Sequence, residues 1–211
     1  MNSDIADRAN LSLQLTASAA LQRQLSLGVR RGGVRVDKGL LRSRALAIRI
    51  ARLPHPHQIA FAAGCAERAL PVLEFEEFPG GSDFLPAFLA AVEVLWGAVA
   101  GPAPDFAATH EALAAVFPEG DHYAGYDGTV CAGAAILRAV DAAADPTGCA
   151  AADAGLHVSS AYEQATQWDD KPIDDMDWQE QAVGRLEESA GGAVSRELFS
   201  GLPLPPQLGA G

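Results

Sequence analysis

Ile59-Ala60-Phe61-Ala62-Ala63-Gly64-Cys65-Ala66-Glu67-Arg68-Ala69-Leu70-Pro71 is the stretch from which the fold is read. Ile59, Ala62, Ala63, Ala66 and Leu70 recur at three- and four-residue steps, the repeat of one face of an α-helix. Pro56 suits the first helical position, since its missing N–H would be unpaired there anyway, and Pro71 ends or kinks the run. Composition points the same way. Alanine occurs 42 times, against 24 for Val, Ile and Thr together, which favours helix over strand. The expected fold is all-α, a single-domain helical bundle of about seven helices behind a basic N-terminal extension.

Helical signals continue on both sides of this run. Upstream, Leu41, Ala45, Ile48 and Arg52 share one helical face, bordered by Leu46, Ile50 and Leu53, so residues 40–53 read as an arginine-rich amphipathic helix. Downstream, a further turn or two reaches the break Pro79-Gly80-Gly81, and Asp83 is placed to cap the most apolar helix, with its stripe of Phe88, Val92, Leu95 and Trp96. Asp105 could cap a shorter helix through Phe106, Leu113 and Val116. Tyr123 and Tyr126 lead into a helix over 129–144 whose small residues would let a neighbour approach closely. The segment 147–166 continues in helical style. A last helix starts near Pro172, with Asp174, Asp175 and Asp177 in its first turns, where the helix dipole favours negative charge. Gly191-Gly192 kinks or ends it, and residues 203–211 read as a frayed, disordered tail.

A chain of 211 residues buries roughly 70% of the surface its unfolded form exposes, so the core needs neither disulfides nor metals. Three cysteines among small apolar residues make no secreted disulfide framework, and a reducing cytoplasm is expected. The most apolar stretch, residues 84–100, contains Pro86 and Glu93 and is too short and too polar to span a bilayer.

Charge divides the chain. Residues 1–53 carry ten basic and three acidic groups, a net of +7, whereas residues 54–211 carry 5 basic and 24 acidic groups, a net of −19. An anionic body repels nucleic acid, whose phosphates need clustered Lys and Arg, and favours a basic protein partner. A solubilising surface is the plainer reading of the same charge. The leader, residues 1–40, combines an amphipathic stretch over 10–27 with a Gly- and Arg-rich linker over 28–39. It can be read as a tail over the acidic body, an overlong start or a functional arm.

The Cys65-x-Glu67-Arg68-x-x-Pro71 core of the opening stretch resembles the YjaG family, a bacterial domain of unknown function. Residues 41–53, 88–99 with Trp96, 123–137 and 176–202 are similar, in order, to the family's other helices, so the likeness covers roughly residues 41–202. The resemblance implies an all-helical fold and no assigned activity, and it supplies no catalytic, cofactor or metal residues.

The chain shows little reactive spacing. Its five His, at 55, 57, 110, 122 and 157, include no pair separated by the three residues that would set two imidazoles around zinc on one helix face, and no Cys-x-x-Cys occurs. Asp174, Asp175 and Asp177 lack the central Gly and terminal Glu of a calcium loop. No cofactor, metal or catalytic residue is therefore assigned. Glu67 and Arg68 stand out because they interrupt an apolar helix, and adjacent residues point about 100° apart and cannot easily pair with each other. They are structural or interaction candidates: a tie to another element, or part of a pocket.

Two classes of function follow. The first is a non-enzymatic protein-binding module for a basic partner, an immunity-type protein being one form. The second is an enzyme whose site is assembled between helices around Glu67, Arg68, His122 and Tyr126. A homodimeric structural protein is a third reading.

Overall fold

The computed structural model describes residues 38–75, 84–101, 105–116, 128–166, 175–189, 191–203 and 208. These hold seven α-helices: α1 (Lys38–Arg52), α2 (His55–Phe75), α3 (Leu85–Ala100), α4 (Phe106–Val116), α5 (Gly128–Ala142), α6 (Cys149–Ala165) and α7 (Met176–Glu188). A 3₁₀ turn, Arg196–Phe199, follows. No strand occurs among the described residues, so the fold is all-α as composition and periodicity predict. The leader over 1–37, the Asp83 cap, the aromatic loop with His122, Tyr123 and Tyr126, and Asp174 lie outside the described residues.

The core of the unit Gly39–Gly211 sits where α2, α5 and α6 pack against one another. Small residues make this approach possible. In α5, Gly128, Cys131, Ala132, Gly133, Ala135 and Ala139 are all buried, and α2 contributes Ala60, Ala62, Ala63, Ala66 and Ala69. Phe61, Phe88, Leu95, Leu113 and Ile136 fill the space the small residues leave, each fully buried side chain contributing about 1.5–3 kcal/mol. Among the described residues, no helix is long and apolar enough to cross a membrane.

Two local readings are decided by the fold. Of the two outcomes open at Pro71, an end or a kink, the helix does not end there: α2 runs on to Phe75. A mid-helix proline costs about 3 kcal/mol, and the burial of Val72 and Leu73 just beyond it offsets that loss. In α1 the inward face is Leu46 and Ile50, with Leu53 following, whereas Leu41, Ala45, Ile48 and Arg52 face solvent. Both stripes fit a helical period, and only the docking of α1 chooses between them.

The joints between helices are polar and local. Gln58 Nε2 donates to the carbonyl of Leu53 at 3.0 Å and to that of Ile50 at 3.4 Å, so α2 satisfies the last carbonyls of α1. Asp145 accepts from the N–H of Thr147 at 2.9 Å and of Ala150 at 2.8 Å, organising the entry to α6. Gly148 there has φ of 79°, and a Cβ would come within 2.9 Å of Ala51 Cα, so only glycine fits. Asp105 caps α4, accepting from Ala107 N–H at 3.1 Å and Ala108 N–H at 3.3 Å.

Candidate functional site

α2 carries Glu67 and Arg68 on its last turns, and the helix twist sends them to different neighbours. Glu67 is half-buried. Its Oε2 accepts from the Trp96 indole N–H of α3 at 3.2 Å, and both its oxygens accept from Arg196 Nε at 3.1 Å. Arg196 also reaches Glu93 at 3.1 Å and lies 5.6 Å over the Trp96 ring, so one cation bridges α2, α3 and the 3₁₀ turn.

Arg68 points the other way, into the core. Its side chain is 6% exposed and that of its partner Asp175 is 0% exposed. Nε donates to Asp175 Oδ1 at 2.8 Å, Nη2 donates to the same oxygen, and Nη1 donates to the carbonyl of Pro203 at 2.9 Å. The guanidinium lies 4.6 Å over the Trp178 ring, which itself stacks near Phe61 and Phe199. Three surroundings therefore converge on one buried cation: a carboxylate, a carbonyl and an aromatic face.

The network extends to α6. Tyr162 Oη donates to the carbonyl of Arg68 at 2.8 Å. Gln179 Nε2 donates to Gly155 O and Ser159 Oγ, each at 2.8 Å, and reaches towards Asp175 Oδ2 at 3.4 Å. Gly155 lies close against this amide: a Cβ there would fall 2.6 Å from Gln179 Oε1, so the Gln179 side chain would have to shift. Burial pushes the Tyr162 hydroxyl well above its ordinary pKa, with the Arg68 charge opposing and the Asp175 charge adding. The Cys65 thiol, one turn before Arg68, is pushed up by burial and by Asp175, against the pull of Arg68.

Chemically, this arrangement ties elements together. It joins α2, α6, α7 and the chain after α7 through groups that already have partners within the chain. Glu67 and Arg68 do not meet each other's partners, and His122 and Tyr126 lie outside the described residues. Among the described residues no group of three or more His, Cys, Asp or Glu is placed to hold a metal ion. Sequence reasoning missed Asp175, which it took for helix-start acidity. Asp175 does occupy the N-cap of α7, yet its carboxylate caps no backbone N–H and goes to Arg68 instead. Tyr162, Trp178 and Gln179 were not assigned to the site. The available signal was weak: Asp175, Trp178 and Gln179 stand at the three- and four-residue steps that share a helix face.

Comparisons with protein-family models, with curated proteins and with solved structures found no match.

Proposed function

We propose that this chain is a non-enzymatic helical module whose acidic body binds a basic protein partner, with an immunity-type protein, which neutralises a basic toxin by covering it, as one concrete form. One observation carries the reading. All four described cations of residues 54–211 are already committed to groups of the same chain: Arg68 to Asp175, Arg138 to Asp141, Arg185 to the carbonyls of Leu198 and Ser200, and Arg196 to Glu67 and Glu93. Glu74, Glu111, Glu163 and Glu188 are exposed and make no ion pair with a described residue. The body therefore presents carboxylates that its own cations do not neutralise. Such a field steers a basic partner into contact and makes association fast and salt-sensitive. The YjaG resemblance over roughly residues 41–202 is part of this proposal and adds no activity to it.

Affinity capture with the full chain at about 0.05 M and about 0.5 M salt tests the reading, because that range cuts the screening length severalfold. A basic protein retained at low salt and released at high salt supports it. Capture of no partner at either salt, or of an acidic partner indifferent to salt, overturns it.

A further inference from the structure

α1 sorts its charges by face. Arg42 reaches Glu180 at 2.8 Å and Asp177 at 2.6 Å, and Arg49 reaches Glu187 at 3.0 and 2.7 Å, so both lie towards α7. Leu41, Ala45, Ile48 and Arg52 occupy the opposite, outward side. Their steps of four, three and four residues are those of the a and d positions of a helix-pairing seam. Leu41 is 54% and Ile48 47% exposed, and Ala45 and Arg52 are also exposed. Arg44 flanks the seam, is exposed, and pairs with no described carboxylate. The helix, KGLLRSRALAIRIAR, contains no Asp or Glu.

This face selects its occupant by charge. Arg42 and Arg49 hold the e positions beside the seam and Arg44 a g position. Arg42 and Arg49 are turned to α7, so the cations this face offers a partner are Arg44 and Arg52. Pairing α1 parallel with a second α1 would set Arg52 against Arg52, and in neither orientation does a second α1, which has no Asp or Glu, supply a carboxylate to Arg44 or Arg52. An anionic bilayer would gain the few cations of α1 while facing the net −19 of residues 54–211. A helix with carboxylates beside its apolar stripe meets neither obstacle. The protein already contains such a partner: α7 sets Glu180 and Glu187, seven residues apart, against Arg42 and Arg49.

We propose that the outward seam of α1, Leu41–Ala45–Ile48–Arg52 with Arg44 beside it, docks an amphipathic partner helix that carries carboxylates flanking its own apolar seam. The surface is distinct from the acidic body, and the proposal stands or falls independently of the function proposed above.

The test titrates the full chain with two designed three-heptad peptides, both with leucine at a and d, one with glutamate and one with lysine at e and g, and reads fluorescence anisotropy. The glutamate peptide is expected to bind in the micromolar range and the lysine peptide at least about tenfold more weakly. Leu41→Asp and Ile48→Asp, both at exposed positions, should each weaken the glutamate peptide about tenfold or more while leaving the circular dichroism and urea midpoint unchanged. Arg44→Glu with Arg52→Glu should reverse the preference between peptides. Equal binding of the two peptides overturns the proposal, as does wild-type affinity in the Leu41 and Ile48 variants. Seam-dependent binding to phosphatidylserine vesicles with no peptide binding assigns the face to a lipid, and seam-dependent dimerisation in light scattering assigns it to a second copy. Either result also overturns it.

Discussion

Arg68 Nε of α2 donates to Asp175 Oδ1 at the start of α7 across 2.8 Å, in a pair that solvent barely reaches. Taking two charges out of water is expensive, so the value of this contact lies in what happens when it is half removed.

Replacing Arg68 with Met leaves the Asp175 carboxylate buried without its cation. A loss of about 3–5 kcal/mol in urea unfolding is expected. The double change Arg68→Met with Asp175→Leu should recover much of that loss, because two apolar groups need no partner. A stable, correctly folded single variant would show that the pair does not hold α7 to α2.

Gly148→Ala forces a side chain onto a backbone at φ of 79° and against Ala51 Cα, and backbone atoms cannot swing aside. A destabilisation of about 2 kcal/mol or more is expected. Gly191→Ala is the control for conformation alone, since its φ is 97° but nothing lies near the added carbon. Thermal unfolding should rank Gly148→Ala clearly below Gly191→Ala.

Alkali should loosen the core in two stages. A group whose pKa is higher in the folded chain holds its proton more tightly there. Its contribution is therefore complete below its unfolded pKa and is lost as pH rises through the folded value. Cys65 starts from 9.0 and Tyr162 from 10.0, and both are raised by burial. Urea midpoints measured from pH 7 to 11 should fall above about pH 9. Cys65→Ala should flatten the first part of the fall and Tyr162→Phe the later part, and slopes identical to wild type would refute the assignment.

Only one thiol should react quickly with a chromogenic disulfide reagent in the native protein. Cys149 is exposed, while Cys65 and Cys131 are buried. Two more equivalents should appear on unfolding, and Cys149→Ser should abolish the fast phase.

Arg49→Ala removes an ion pair with Glu187 at 2.7 Å whose side chains are 35% and 43% exposed. Water screens such a pair, so a loss of about 0.2–1 kcal/mol is expected, shrinking as salt is added. A loss comparable to that of Arg68→Met would mean that α1 depends on this bridge far more than its exposure implies.

Helix positions were largely legible in the sequence because each helix writes its own period: Ala-rich runs and caps such as Asp105 are local signals. The limits of local reading show at Pro71, where buried Val72 and Leu73 keep the helix going, and at α1, where two apolar stripes compete. Within the candidate site, Arg68 stood out as a charge inside an apolar run. Its partner lies 107 residues away and looked like ordinary helix-start acidity.

By itself, then, the order of residues determined that this chain is helical, how its charge is distributed along its length, and which side chains interrupt an apolar helix, because all three depend on neighbours along the chain. Only the tertiary structure decided that Arg68 meets Asp175 and Pro203, that Glu67 meets Trp96 and Arg196, and that Leu41 and Ile48 face water while Leu46 and Ile50 do not. Those outcomes depend on how whole helices rotate and dock to bury the most apolar surface, a choice among helix faces that no local stretch of chain contains.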